Sequence, residues 1–410
     1  MLDRVTIERM LAWTGDKPVL VALSGGGDSV ALLSLLADQC GPNRVRAVIV
    51  DHALRLGSAD DAAYAEEVAR SLGVTADILT LTWEEGANRA QQAAREQRYR
   101  AICNHARTFG LNAVVTAHTA DDQAETVLMR AANGSTWRGL AGIAPFSFAP
   151  LWPEGRGIAL ARPLLGARRE TLRAHLRTRG ARWLEDPANS NPKFERVRVR
   201  QRLAELEQRG FDPLRLTLLA ARLRRRSDAL DGAALTLIAS AAQVGESVLI
   251  SRAVWRAPDE VRQRALSALI AAAGGADREP LWTQMPALEA RVMRVSKSFT
   301  HSGVAFDPDE ASVMLRREPG AVLGRADGAP ASPPLQLAPN VEAIWDGRLG
   351  VTAREHGWRA VAARNSELIA FENGLARKRY GEVSGRLKLR PLTTERVAHA
   401  FAPDINRTKP

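Results

Sequence analysis

The stretch Leu20–Leu36 (L-V-A-L-S-G-G-G-D-S-V-A-L-L-S-L-L) constrains the fold more than any other part of the chain. Val19–Leu23 is an unbroken apolar run, as expected of a parallel strand buried on both faces. Three glycines follow, and then a second apolar run, Val30–Leu36, with Asp28 and Ser29 at its start. A buried strand, a glycine turn and a helix N-terminus together make an anion cradle. Glycine lets backbone N–H groups approach the anion, and the unpaired N–H groups and dipole of the helix face it. A tight turn needs the glycines alone; the full set Ser24, Gly25, Gly26, Gly27, Asp28 and Ser29, between a strand and a helix, favours phosphate binding, with the two serines as hydroxyl donors. The loop is not the G-x-x-x-x-G-K-[ST] of kinases and GTPases, because it has no lysine, and it lacks the G-x-G-x-x-G spacing of dinucleotide folds.

Residues 17–120 repeat the strand–helix unit. Val19–Leu23, Arg46–Asp51, Thr75–Leu81 and Ala113–Ala117 are expected strands. Helical patterns lie between them, with Ser58/Asp61 and Asn88/Gln91 as capping signals. Alternation of this kind predicts an α/β fold with a parallel sheet covered on both faces. Ligands bind such sheets outside the carboxyl ends of the strands. That rule gathers Ser24–Ser29, Asp51–His52, Thr82–Trp83 and His118 at one edge.

The segment Ala117–Arg130 carries the second constellation. Its expected helix has an apolar face of Ala120, Ala124, Val127, Leu128 and Ala131. Asp122 and Glu125, three apart, share another face, and His118 stands just before the first turn. A histidine with two carboxylates can hold a metal, bind an ammonium group or move a proton. The plainer alternative is that Asp121 and Asp122 stabilise a helix N-terminus, worth about 0.3–1 kcal/mol each. Arg95 and Arg98 share a helix face, either against phosphates or in solvent.

A length of 410 residues predicts two or three domains. A G+C-rich genome accounts for most of the preference for arginine over lysine. The formal charge of +11 still calls for a partner or another reason, and nucleic acid is the leading candidate. Phe146–Arg162 has the prolines and glycines of a hairpin or ordered loop. In Glu185–Arg202 a turn-rich half is followed by Arg196, Arg198, Arg200 and Arg202 at alternate positions. An extended strand would line them on one side and a helix would spread them; either form suits a phosphate backbone, the plainer alternative being a solvated helix. Phe211–Phe299 has a helical pattern, Gly324–Asn340 is proline-rich like a linker, and a β-rich tail follows. The expected division is therefore 1–210, 211–323, a linker over 324–340, and 341–410. Met1–Met10 lacks the apolar core of a secretory signal and no long apolar run is present, so a cytoplasmic protein with no membrane partner is expected. Cys40 and Cys103 are too few for a zinc site of their own.

The ordered blocks resemble those of the tRNA(Ile)-lysidine synthetase family of PP-loop ATP pyrophosphatases. They are S-G-G-G-D-S at 24–29, V-D-H at 50–52, A-R-E-Q-R-Y at 94–99, H-T-A-D-D-Q-A-E-T at 118–126, G-L-A-G-I at 139–143, R-P-L-L at 162–165 and E-D-P-A-N at 185–189. The match covers roughly residues 17–205. Val197 stands where the family usually has Asn, between Arg196 and Arg200. The resemblance implies a PP-loop domain followed by a helical domain and a small C-terminal region. It implies a ligase that uses ATP and Mg²⁺ to adenylate C2–O of the wobble cytidine in the CAU anticodon of tRNA(Ile), which L-lysine then attacks.

Residue by residue, the resemblance implies that Ser24–Ser29 bind ATP with Asp28 near the metal, and that Arg98 and His118 stand at the reacting centre. Asp122 and Glu125 would hold lysine, and Asn189, Arg196, Arg198 and Arg200 would meet tRNA. Lysine arrives as an ammonium ion, and His118 is the candidate base that removes its proton before attack. The alternatives are a tRNA-binding protein without catalysis, or a related enzyme such as a 2-thiocytidine synthetase, whose paired cysteines this chain lacks. The oligomeric state is left open, a homodimer being one possibility.

Overall fold

The computed structural model describes residues 1–54, 56–83, 91–185, 193–276, 279–280, 282–294, 297–324, 335–354, 359–362, 369–371, 381–383 and 387–403. The chain forms two compact units, Met1–Asp228 with Ala402–Pro410, and Ala229–Phe401.

In the first unit the elements run α1 (Arg4–Thr14), β1 (Val19–Ala22), α2 (Gly27–Cys40), β2 (Val45–Asp51), α3 (Ser58–Ser71), β3 (Thr75–Thr80), α4 (Gln91–Thr108), β4 (Ala113–Val115), α5 (Ala120–Ala132), α6 (Trp137–Leu140), β5 (Phe146–Phe148), β6 (Ala159–Ala161), α7 (Arg169–Thr178), α8 (Glu195–Gln208) and the first half of α9 (Leu214–Ala241), whose residues from Ala229 on belong to the second unit. The sheet order is β3-β2-β1-β4-β6-β5. Every neighbouring pair is parallel except the β5–β6 hairpin, which turns the 146–162 segment back on itself.

Strand residues alternate between two cores, which is why the apolar runs are unbroken. Val19, Val21, Ala47, Ile49 and Val115 pack with residues of α1, α2, α3 and α7. Leu20, Val48, Val114 and Leu160 pack on the other face with Tyr99, Ile102 and Cys103 of α4. Strand order reverses at β1, which pairs with β2 on one side and β4 on the other. A crevice beyond the carboxyl ends at such a reversal is where ligands bind in open α/β sheets.

Local signals decide the helix starts. Gly57, left-handed at φ 80°, is the N-cap of α3, so Ser58 is the first helical residue and does not cap as its sequence position leads one to expect. Thr119 caps α5 instead, in a reciprocal capping box with Asp122. On α5, Ala120, Ala124 and Val127 are buried, Leu128 is half-buried and Ala131 is exposed, so the packed face narrows toward the last turn. Asn88, read as a cap for α4, lies outside the described residues.

The second unit is a mixture where the sequence pattern over Phe211–Phe299 is helical. β7 (Ala242–Val244), β8 (Val248–Ser251), β9 (Phe299–His301), β10 (Val304–Pro308) and β11 (Ser312–Arg317) form an antiparallel sheet in the order β7-β8-β11-β10-β9. Val248, Ile250, Phe306, Val313 and Leu315 face α10 (Asp259–Gly274) and α11 (Met285–Arg294) in one core. Strands of three or four residues such as β7 and β8 are too short for their period to stand out from a helix. Further on, Glu342–Trp345, Leu349–Ala353, Leu387–Pro391 and Gly381–Val383 pair antiparallel, as a β-rich tail requires. Among the described residues no helix is long and apolar enough to cross a membrane.

Candidate active site

The glycine loop leaves β1 through Leu23 and Ser24 and enters α2 at Gly26, an N-cap that has no side chain to satisfy the first N–H groups. Those donors and the helix dipole are what an anion meets. Ser29 Oγ donates to Gly26 O at 2.9 Å and accepts from Ser24 N–H at 3.2 Å. Its single proton being used, the 3.1 Å contact between the two hydroxyls has Ser24 as donor. The serines thus shape the cradle from inside.

The loop is also braced from outside. Leu184 N–H donates to Gly25 O at 2.9 Å, and Leu184 pairs with Gly26 as an isolated parallel bridge. The Trp183 ring lies under Gly27, where a Cβ would come within 3.3 Å of it, and Trp183 Nε1 donates to Glu185 at 2.8 Å. Gly25 has φ +77°, and a Cβ there would stand 2.8 Å from Leu184 Cδ1. Gly25→Ala is therefore expected to lower stability by about 1–3 kcal/mol and to weaken ATP binding, as measured by urea denaturation and nucleotide titration.

Asp28, on the first turn of α2, accepts from Arg169 Nε at 3.0 Å through Oδ2. Its other oxygen, Oδ1, is buried with no hydrogen-bond partner among the described residues. Burial pushes the Asp28 carboxyl above its usual range, against the pull of Arg169. An unpartnered carboxylate oxygen beside an anion cradle fits Mg²⁺, which takes one or two carboxylates together with phosphate oxygens. Among the described residues no cluster of three metal-ligating side chains exists, so phosphate and water would complete such a shell.

The first two turns of α5 present their carboxylates to a set of arginines. Asp122 Oδ2 accepts from both the N–H (2.8 Å) and the Oγ of Thr119 (2.8 Å). Asp122 Oδ1 accepts from Arg169 Nη2 at 3.0 Å and Arg196 Nη2 at 3.1 Å. Glu125, only 1% exposed, accepts from Arg196 Nε at 2.7 Å and Arg200 Nε at 2.8 Å. Although burial opposes ionisation, Arg169 and Arg196 hold the Asp122 carboxyl below its usual range. Asp121 accepts from the Arg169 backbone N–H at 2.7 Å and from Arg168 Nε at 3.0 Å, so it caps α7 from a neighbouring helix. The acids of this helix therefore divide their work: Asp122 Oδ2 caps α5 and Asp121 caps α7, while Asp122 Oδ1 and Glu125 pair with arginines of the chain itself.

The alternating arginines lie on the helix α8. Arg196 and Arg200, one turn apart, point at α5, whereas Arg198 donates to the Lys193 carbonyl at 3.0 Å and Arg202 is exposed. Asn189 lies outside the described residues. Two residues of this cluster, Arg169 and Thr119, were not singled out as functional on sequence. Arg169 follows another arginine in an Arg-rich stretch and had no local mark.

His118 follows β4, with its Nδ1 at 2.9 Å from Thr116 Oγ1. Burial first, and then the Arg162 guanidinium, push its imidazole down to about 3. The charge of Arg95 also weighs on His118, while that of Arg98 weighs on His52 at the end of β2. The His118 ring is thus neutral in the folded chain well below its ordinary value of 6.5. Between those two values the unfolded chain binds more protons, so this group makes the fold less stable as pH falls. His118→Gln removes that loss. Relative to wild type, the variant should gain about 2–3 kcal/mol of stability between about pH 7 and pH 4, read by urea denaturation at both.

A family profile described as a PP-loop domain matches residues 3–207. The tRNA(Ile)-lysidine synthase of Hyphomonas neptunium is 42% identical over 268 residues, covering 65% of this chain and 71% of that one. The enzyme of the same name from a Bradyrhizobium species is 38% identical over 338 residues, covering 78% and 91%. That from Caulobacter vibrioides is 32% identical over 364 residues, covering 88% and 80%. Taken with the strand–glycine–helix cradle and the acidic turn of α5 beside it, these matches show that the chain belongs to the tRNA(Ile)-lysidine synthase family of PP-loop enzymes.

Proposed function

We propose that this chain joins L-lysine to C2 of the wobble cytidine in the CAU anticodon of tRNA(Ile), with ATP as the activating substrate. The cytidine C2 oxygen attacks the α-phosphorus of ATP and pyrophosphate leaves. The lysine ε-nitrogen then attacks C2, and the C2–O bond breaks to release AMP. The observation that carries this reading is that Asp28 of the glycine loop and Asp122 of α5 share one guanidinium, so a phosphate cradle and a cation-binding acid pair adjoin.

In this reading Ser24–Ser29 hold the polyphosphate. Asp28 would hold Mg²⁺, which would supply charge neutralisation for the pyrophosphate. Asp122 and Glu125, which already hold guanidinium groups, receive the lysine ammonium. Arg98, with Arg95 beside it on α4, faces negative charge at the reacting centre. Arg198 and Asn189 meet the tRNA, joined by Arg196 and Arg200 where they border the acids.

The proton inventory limits what His118 does. An ε-ammonium of pKa about 10.4 lies some seven units above the His118 imidazole, so complete transfer before attack would cost on the order of 10 kcal/mol. The first proton must therefore go to solvent, leaving the neutral amine that is present at roughly one in a few thousand near pH 7. Once that amine forms the C–N bond its nitrogen becomes far more acidic, and a neutral imidazole is then an adequate acceptor for the second proton. His118 accordingly takes the proton shed on bond formation. Accepting at Nε2 requires Nδ1–H to donate to Thr116 Oγ1.

A thiolation reading is not favoured. Cys103 is buried in the α4 core with its thiol pushed up to about 12 by burial, and Cys40 packs on the opposite face of the sheet. Exchange of labelled pyrophosphate into ATP, with lysine and minor isoleucine tRNA added separately and together, tests the proposal. Exchange that depends on that tRNA supports it; tight tRNA binding with no exchange would leave a tRNA-binding protein without catalysis.

A further inference from the structure

Asp122 has no acceptor site to spare. A carboxylate oxygen offers two lone-pair directions. Both on Oδ2 go to Thr119, and both on Oδ1 go to Arg169 and Arg196. A lysine ammonium can bind this carboxylate only where one of these donors leaves. The Thr119 bonds close the capping box of α5. Arg196 is also fixed to Glu125 at 2.7 Å. Arg169 is the remaining donor, and it is the one with a second claim outside the acid pair, on Asp28 at 3.0 Å.

The guanidinium of Arg169 is planar, and its Nε and Nη2 face different carboxylates from one fixed plane. Turning either edge to a new partner pulls the other away. Its main chain stays put, because its N–H is held by Asp121 at 2.7 Å. The movement required is a side-chain rotation alone. With MgATP and lysine bound, two cations would compete at each end: the guanidinium and Mg²⁺ at Asp28, the guanidinium and an ammonium at Asp122.

We propose that Arg169 is the positioning residue that makes lysine binding depend on MgATP: it gives up Asp28 to the metal, turns to the polyphosphate, and thereby opens Asp122 Oδ1 to the lysine ammonium. This rests on the reading of Asp122 and Glu125 as the lysine site. The sign follows from charge. An arginine that loses one carboxylate to a divalent cation and gains a more highly charged anion moves toward that anion. By linkage, lysine tightens MgATP by the same factor. The order also protects the chemistry, since the amine is gathered where the activating nucleotide is already in place.

The test is calorimetric titration of the full chain with L-lysine, with and without Mg²⁺ and an ATP analogue carrying a methylene bridge between the α- and β-phosphates. In the wild type the analogue should tighten lysine at least about tenfold, or about 1.4 kcal/mol. Arg169→Met should bind lysine tighter than wild type without nucleotide and change less than about twofold when it is added. Arg169→Lys, which keeps a charge but not the fork, should keep part of the coupling and serves if the methionine variant does not fold. Coupling of wild-type size in either variant overturns the proposal. So does a wild type whose lysine affinity ignores the nucleotide, or that binds lysine under neither condition. Asp122→Asn separates the layers: unchanged lysine affinity there would sink the lysine-site reading itself, whereas lost affinity with no nucleotide coupling in the wild type removes only the role of Arg169.

Discussion

Asp28→Asn is expected to lower the rate of tRNA adenylation by about 10²–10³-fold while leaving the fold intact. The carboxylate stands on the first turn of α2 with one oxygen on Arg169 and the other buried without a partner. An amide keeps the shape but loses the charge that would hold Mg²⁺ against the leaving pyrophosphate. Stability should change little or rise, because burial already works against the Asp28 charge and Arg169 keeps its bond to Asp122. Single-turnover formation of the adenylated tRNA, set beside thermal melting, gives both readings. A variant within about fivefold of the wild-type rate would remove Asp28 from the metal role.

Glu125→Ala should be the most damaging single change in the cluster, with a loss of about 3–5 kcal/mol of stability. The side chain is 1% exposed and receives bonds from Arg196 and Arg200, with Arg169 Nη1 at 3.7 Å. Removing it leaves a buried cavity on α5, takes from Arg200 the carboxylate it is bonded to and leaves Arg196 with Asp122 alone, and a missing partner costs more than the pair contributed net. Glu125→Gln keeps acceptor geometry for at least one of these arginines and should lose clearly less. Urea denaturation of the two variants separates charge from shape. Lysine affinity should fall in both, so a glutamine variant that folds well yet binds lysine poorly would locate the defect in the ammonium site.

Much of this arrangement could be read without coordinates, and the limits have physical causes. The cradle was legible because all of its parts are contiguous: an apolar run, glycines, and an apolar helix within Leu20–Leu36. The acid pair was legible because three-residue spacing on a helix is a local rule, and Asp122 and Glu125 obey it. Arg169 was invisible because its partners lie 141 and 47 residues away, and nothing local distinguishes it from Arg168. Arg196 and Arg200 carried the right charge for RNA, but the same charge also answers buried carboxylates. Only the helical form of α8 reveals that these two, four apart, share a face toward α5 while Arg198 and Arg202 do not. The strands β7 and β8 were missed because three or four residues carry too little periodicity to compete with the flanking helical text.

The bracing of the glycine loop by Leu184 also makes the site its own reporter. Leu184 N–H is bonded to Gly25 O, so that amide can trade its hydrogen for deuterium only when the brace lets go of the loop. Its exchange rate in heavy water measures the opening free energy of the cradle, on an amide already bonded within the protein. Protection at Leu184 that climbs with added nucleotide would show the loop being drawn shut around its anion, and would do so in the unmodified chain without a label or a substitution.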